Sequence, residues 1–435
     1  MTTGERSNRV TAMHLLRSGR SPTEVAAEMK RCLSWVYKWR GRFASEGWRG
    51  LEDRSRAPIE CPKQLPERVW QQIRAMRSQV EAEAEIPGQL PYIGAHAIRA
   101  RLRKKRLKPL PSLSSIEREL RRAGMTRPKA REDEPQIQYP HLQPGQAGQL
   151  LQIDIVPHYL LGGRAIACFN GIDVVSRYPA GQQYAHKRTQ DALDFLLQAW
   201  QEVGLSDFTQ LDNETCFSGG HTHPYVLGRV LRLGLWVGTE IVFSPFYHPK
   251  SNAFIERFHQ DYNRAIWDRY VLADLVDVQQ QSPGFFEAYR NSCHHSDLNG
   301  RSPVQQHAEF TGRQLPRDLQ VPARLPLTAG HVHFMRRVDA NRQIRLLNVQ
   351  WDVLTAKPDQ GVWATLTFRS SGAHLRVFSA APDAARRAHL ATHVFPLKEA
   401  VQPLLPQFQK PRPPLARLLW EAAANSLSAW VSSMF

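Results

Sequence analysis

Between Gln149 and Pro245, apolar runs of strand length alternate with runs at helical spacing, and that order admits few folds. "QLLQIDIVPHYL" reads as one strand and "RAIACFNGIDVVSRYPAGQQY" as two more. "TQDALDFLLQAWQEVG" has helical spacing, "DFTQLDN" is strand-like, "PYVLGRVLRLG" is helical and "TEIVFSP" is a last strand. Strands come first and helices later, with one crossover between "YAHKRTQ" and "DFTQL". The expected product is an α/β layer whose sheet mixes antiparallel and parallel pairs.

Three acids fall at special places in that layer. Asp154 interrupts the apolar strand "LLQIDIV", Asp212 ends the strand "FTQLDN", and Glu256 opens a cationic, aromatic helix in "SPFYHPKSNAFIERFHQDYNRAIW". A lone glutamate on a helix is ordinarily a solvated residue. A carboxylate inside a buried strand is costly unless it is paired or binds a cation, so Asp154 calls for an explanation. Hard oxygen ligands from three separate elements suit Mg²⁺ or Mn²⁺. Two such ions, about 3.5–4 Å apart, serve an in-line phosphoryl displacement. Lys250, Arg257, His259 and Arg264 surround Glu256 as candidate grips on a nucleic-acid strand. Asp173, in "NGIDVVSRYP", competes with Asp154 but reads as a polar residue near the sheet end.

The charge of the whole chain agrees with a polyanionic partner. Its 435 residues carry a net charge of +17, and 42% hydrophobic content is enough to build folded cores, in about three to four domains. No apolar run approaches the roughly 20 residues of a spanning helix and no signal-like segment opens the chain, so nucleic acid in the cytosol is expected rather than a membrane. Cys32, Cys61, Cys168, Cys216 and Cys293 are scattered without a CxxC pair, and are expected to be thiols.

The N-terminal segment supplies a reader for such a partner. Ser21, Pro22 and Glu24 form the serine, proline and glutamate pattern that opens a helix. "RVTAMHLLRSG" before it has helical spacing with Gly19 as a stop, and Ser34 is expected to open a third helix bearing Trp35, Lys38, Trp39, Arg40 and Arg42. As a helix-turn-helix, this third helix enters a major groove with Lys38, Arg40 and Arg42 toward bases or phosphates. A small helical bundle with a basic face fits this segment alone equally well. From Pro66 to Gly124 the order recurs in "ERVWQQIRAMRSQV", "GAHAIRARLRKKRL" and "SSIERELRRAGM", where Ser114 and Glu117 read as another capping box. Arg101, Arg103, Lys104, Lys105 and Arg118 are candidate DNA contacts of this second module, with a solvated helix end as the bland alternative.

Beyond the Pro-rich connector "RQLPRDLQVPARLPLT", residues 331–380 contain about five short strands with turn signals at "DANR", "KPDQG" and "SSGA", so a small closed barrel is expected. Arg336, Arg337, Arg345 and Arg369 either touch DNA from it or only solubilise it. In the last segment, Leu415, Leu419, Ala422, Leu427 and Trp430 recur at helical spacing. Such an amphipathic helix docks on the protein itself or binds another subunit or a helper protein. The expected division is a helix-turn-helix at 1–58, a second at 59–128, a linker at 129–144, the α/β domain at 145–312, a linker at 313–328, the barrel at 329–395 and the tail at 396–435.

At the three acids the sequence resembles the DDE transposases and integrases of the retroviral-integrase superfamily, in particular insertion-sequence transposases with N-terminal helix-turn-helix modules. "DNETCF", from Asp212, is similar to the family's D-N-G-x-x-F, and "PFYHPKSNAFIER", Pro245 to Arg257, to its P-x-x-P-x-x-N-G-x-x-E-R. "YRNSCHHSDLNGRSPVQQH" is similar to its Y-N-x-x-R-P-H-x-x-L-x-G-x-T-P segment, and the resemblance runs over most of Arg9 to Ala380. Glu214 and Ala253 stand in place of the family's glycines, and Cys293-His294 in place of its Arg-Pro. "SGGHTHPYVLGRV" lengthens the interval between Asp212 and Glu256. Its His221 and His223 read as a polar loop, Glu214 as pointing to solvent or joining the acids, and His294 and His295 as packing after a helix. The resemblance implies a ribonuclease-H-like central domain with Asp154, Asp212 and Glu256 as a catalytic, metal-binding triad. It also implies binding of double-stranded DNA at element ends and target, assembly as a homo-oligomer on DNA, and residence in a bacterial cytosol on the nucleoid. The activity implied is metal-dependent strand cleavage and transfer; a non-catalytic regulator descended from a transposase, or a ribonuclease-H-like nuclease, are the alternatives.

Overall fold

The computed structural model describes residues 3–53, 65–86, 92–126, 137–219, 223–246, 248–292 and 295–410. Cys61, His221, Cys293, His294 and the tail segment from Leu415 to Trp430 lie outside them.

The chain divides into two compact units, Met1–Leu65 and Pro66–Phe435. In the first, α1 (Thr3–Arg17), α2 (Pro22–Glu28) and α3 (Leu33–Glu46) close on Ala12, Met13, Val25, Val36, Trp39 and Leu51. The capping box at Ser21 and Glu24 forms as the sequence predicts. Ser34 does not open α3: Cys32 is the N-cap, without a side-chain bond, and Ser34 stands inside the helix. Trp39 is buried between two guanidinium groups, with Arg9 4.0 Å and Arg42 4.6 Å from the ring centre.

The second unit begins with α4 (Glu67–Ala84), α5 (Ala95–Lys104) and α6 (Leu113–Arg122). The cap of α6 is Ser112, whose hydroxyl accepts from the Ser115 N–H at 3.1 Å. Ser112 is the last residue with extended backbone, so Ser114 lies within the helix and the Ser114/Glu117 box does not form. Glu119 is buried at the centre of this module and ion-pairs with Arg74 and Arg122. The module is fastened to the α/β domain: Tyr92 donates to Asp261 at 2.8 Å, and Arg269 donates to the carbonyls of Ile86, at 2.6 Å, and Ala84.

The α/β domain follows the predicted order. Its elements are β1 (Leu150–Tyr159), β2 (Ala165–Asp173), β3 (Pro179–Tyr184), α7 (Thr189–Val203), β4 (Phe208–Leu211), α8 (Thr215–Ser218), α9 (Arg229–Val237) and β5 (Glu240–Phe243), then α10 (Ala253–Tyr262), α11 (Leu275–Asn291) and α12 (Pro303–His307). The first three strands pair antiparallel, whereas β1, β4 and β5 pair in parallel, the mixed sheet expected. Successive side chains of a strand point to opposite faces. Phe169 therefore packs with Phe195 and Trp200 of α7, while Cys168 meets Ile255, Phe258 and Phe285 of α10 and α11. Burying rings of this size contributes roughly 1.5–3 kcal/mol each and fixes both helical layers on the sheet.

The last strands are β6 (Gly330–Arg337), β7 (Gln343–Leu346), β8 (Val349–Asp352), β9 (Gly361–Arg369), β10 (Gly372–Phe378) and β11 (His389–Phe395). Turns fall at the three predicted places, and β6 ties these strands to the sheet of the α/β domain. β6 pairs in parallel with β5, giving one nine-stranded sheet in the order β11-β10-β9-β6-β5-β4-β1-β2-β3, with β7 and β8 as a hairpin. The reason is the open edge of β5, whose unpaired backbone groups take β6 as a partner. Val332, Phe334, Leu366 and Phe395 consequently share a core with Leu151 and Phe243.

Candidate active site

The register of β1 on β4 pairs Leu150 with Phe208 and Gln152 with Gln210. Two residues further along each strand this register sets Asp154 beside Asp212. Asp212 directly follows the carboxyl end of β4, where ligand sites form in open α/β sheets, and Asp154 stands midway along β1. Asp154 accepts from the Ile155 N–H at 2.9 Å and Asp212 from the Glu214 N–H at 3.1 Å. Glu256 rises from the first turn of α10, which packs on β1 and β2.

Burial, then the charges of Asp212, Glu256 and Glu214, push Asp154 from 3.8 up to about 7. Burial pushes Asp212 up to about 6, with Glu214 adding to it, and raises Glu256 as well. No lysine or arginine ion-pairs with any of the three among the described residues. Such like-charged, desolvated carboxyls are held at a cost that a hard cation offsets. Their oxygen-only chemistry therefore fits Mg²⁺ or Mn²⁺, although no group of three or more His, Cys, Asp or Glu side chains among the described residues is gathered tightly enough to hold an ion as it stands.

The supports of the site were not read from the sequence. Gln152 and Gln210 tie the turn before α10 to the two strands: Gln152 donates to the Ser251 carbonyl at 3.2 Å, and Gln210 to the same oxygen at 2.9 Å and to Asn252 Oδ1 at 2.6 Å. Asn213 donates to the Ser244 carbonyl at 2.7 Å and accepts from Arg336 at 2.9 Å. A signal was present, since "QID" and "QLD" repeat one glutamine-to-aspartate spacing on neighbouring strands.

The candidate cations divide into two sets. Lys250, Arg257 and Arg264 are exposed around α10, with Arg257 3.0 Å from buried Asp261. His259 is not on that surface: it is 7% exposed, burial lowers it to about 3, and its Nδ1 lies 3.7 Å from Asp154 Oδ2. The reason is helical phase, which turns position 259 to the sheet. Lys38, Arg40, Lys104 and Arg118 are exposed, whereas Arg42 donates to the Glu52 carbonyl at 3.0 Å and Arg101 ion-pairs with Glu83. Arg103 bonds the Gly300 carbonyl at 3.4 Å and Lys105 bonds Gln79 at 3.1 Å.

Two competing acids are placed as well. Asp173 is fully buried and accepts from the Gly148 and Ser176 N–H groups, each at 2.7 Å, so it is a turn anchor. Glu214 does not point freely to solvent: it ion-pairs with Lys187 at 2.8 Å, and its charge acts on both Asp154 and Asp212. His295 packs on Tyr289, 5.0 Å between ring centres, as read.

A helix-turn-helix unit is thus followed in the chain by an α/β core with two acids side by side on adjacent parallel strands. Residues 9–62 match the winged helix-turn helix family and residues 237–303 the integrase core domain family. Among solved structures, the chain is similar to the HTLV-2 integrase catalytic core domain in complex with magnesium, with 12% identity over 38% of this chain and 99% of that one, at a TM-score of 0.29. It is similar to the simian T-cell lymphotropic virus intasome in complex with a PP2A regulatory subunit, with 13% identity over 76% of this chain and 99% of that one, at a TM-score of 0.32. A BIV integrase catalytic core domain shares 18% identity over 37% of this chain and 95% of that one, at a TM-score of 0.27.

Proposed function

We propose that this protein is a DNA transposase that binds the ends of a mobile element and carries out divalent-metal-dependent strand cleavage and strand transfer. The observation that carries the reading is the pair Asp154 and Asp212, raised to about 7 and about 6 by burial and by neighbouring acidic charge, with no lysine or arginine ion pair among the described residues. Asp154, Asp212 and Glu256 would hold Mg²⁺ or Mn²⁺, two ions in the full reading. What such ions supply is an activated attacking oxygen and neutralised charge at the leaving oxygen.

The chain's own residues do the rest. The Ile155 and Glu214 amides orient the two aspartates, and the glutamines beneath fix the turn that carries Glu256. Lys250, Arg257 and Arg264 grip phosphates of the strand to be cut, while α3 and the α4 to α6 module hold the element's duplex end. Assembly on two DNA ends calls for more than one copy. A helper protein at the tail, and residence on the nucleoid, belong to the same reading.

The test is single-turnover cleavage and strand transfer on DNA carrying the element's flanking ends. Asp154→Ala, Asp212→Ala and Glu256→Ala should each abolish both reactions in Mg²⁺ and leave DNA affinity within about twofold. A variant that cuts at the wild-type rate removes its residue from the triad. Cutting without joining would favour a nuclease, and neither reaction by the wild type would favour a DNA-binding regulator.

A further inference from the structure

Beside the acids, beginning at Asn213, lies a cleft of about 560 Å³ lined by Phe246, Phe334, Arg336, Arg345, Leu346 and Leu347. Its walls are apolar and aromatic, and Phe246 is 47% exposed at its mouth. Arg336 lies 4.7 Å from the Phe246 ring and 5.1 Å from that of Phe334.

The charge in this cleft is uncompensated. Arg336 is buried, yet its guanidinium donates only to neutral oxygens: the carbonyls of Ser244 at 3.2 Å, Met335 at 2.8 Å and Arg345 at 3.2 Å, and Asn213 Oδ1 at 2.9 Å. No carboxylate pairs with it or with exposed Arg345 among the described residues. A buried cation without an anion is costly, and an anionic ligand removes that cost. The Ser218 hydroxyl, which also lines the cleft, is buried without a hydrogen-bond partner.

We infer that this cleft binds one unpaired nucleotide of the DNA substrate, with its base against Phe246 and Leu347 and its phosphate on Arg336 and Arg345. The inference rests on the transposase reading, because Asn213 follows Asp212 directly and ties the cleft to the strand being cut. The volume suits a small ligand and excludes a duplex. Every base offers a face for stacking on an aromatic ring, so the recognition needs no particular sequence. Burial pushes Arg336 down to about 9, so the free protein carries this charge under strain that a phosphate relieves.

The probes are a hairpin duplex ending blunt and the same duplex carrying five unpaired thymidines, compared by fluorescence anisotropy at fixed salt in EDTA. Wild-type protein should bind the overhang duplex about tenfold more tightly, the size of one good stacking contact. Phe246→Ala and Arg345→Ala, both at the open face, should each bring the preference to within about threefold while leaving blunt-duplex affinity unchanged. Equal affinities in the wild type, or a preference kept by both variants, would overturn the inference and leave the cleft to an apolar protein segment. Cleavage measured on the same preparations separates the two readings: cutting without the preference sinks the cleft alone, and the preference without cutting sinks the catalytic reading alone.

Discussion

Gln152 and Gln210 share one acceptor, the Ser251 carbonyl, at 3.2 and 2.9 Å. Each stands two residues before an acid on neighbouring strands, and the oxygen they share precedes the helix of Glu256. The relative placement of all three acids thus passes through two buried amides. Gln210→Leu keeps the side chain's bulk and removes the donor to Ser251, Asn252 and Ser244. Cleavage at saturating DNA is expected to fall by about 10²-fold, the cost of a displacement near 1 Å, with DNA affinity changed by less than about threefold. Equal losses in both would assign the amide to folding alone.

How much of this was legible depends on what a sequence displays. Strands and helices of the α/β domain follow from alternation and helical spacing, and Asp154 stands out because a charge breaks an apolar run. The cap at Ser112 was missed because three of the residues from Ser112 to Ser115 are serines, each able to cap, and only the backbone decides. The pairing of β6 with β5 was missed because a strand's pattern shows which face is buried but not which edge it joins. His259 reads as a cation beside Arg257, and only its phase on α10 shows it turned inward.

Asp154 also sets a pH dependence. Its folded value is raised from 3.8 to about 7, so between those values the folded state holds more protons than the unfolded state. Stability from this group therefore falls as pH rises from about 4 to about 7 and is lowest above that window. Asp154→Asn should raise the melting temperature of metal-free protein at about pH 8, by several degrees, and not at about pH 4, while abolishing cleavage. Added Mg²⁺ should raise the wild-type melting temperature at pH 8 more than that of the variant. Identical melting curves at pH 8 would show that the carboxyl is not desolvated.

The basic cluster on α5 is not uniform. Arg101, Arg103 and Lys105 are engaged by Glu83, the Gly300 carbonyl and Gln79, whereas Lys104 is exposed and has no partner among the described residues. Lys104→Ala should lessen the slope of log affinity against log salt by about 0.9, one phosphate contact, and Arg101→Ala by much less. Equal changes for both would mean that the Glu83 pair opens on DNA.

His333 joins the added strands to the sheet of the α/β domain. Its Nδ1 accepts from the Trp363 N–H at 2.9 Å, which leaves Nε2 to donate to Glu240 at 2.6 Å. His333→Leu strands the indole N–H of fully buried Trp363 and should cost about 1–3 kcal/mol in urea unfolding. A cost near zero would show that water or a rearranged Thr365 hydroxyl takes the imidazole's place.

The last expectation separates reading from packing on α3. Lys38 and Arg40 are exposed, but Arg42 stacks on Trp39 at 4.6 Å and donates to the Glu52 carbonyl at 3.0 Å. A guanidinium held in this way closes the helical unit and is poorly placed to reach a base edge. Lys38→Ala should lower the preference for element ends over scrambled DNA by about 5- to 150-fold, corresponding to ~1–3 kcal/mol for a base contact. Arg42→Ala should instead speed hydrogen exchange of the α3 amides in the free protein, through loss of a stacked cation and a hydrogen bond worth about 1–2 kcal/mol together. Competition binding with the two DNAs at fixed salt, paired with exchange measured by mass spectrometry, reads both effects. If Arg42→Ala lost end preference with its exchange unchanged, its contact with Trp39 would be a resting position left on binding DNA.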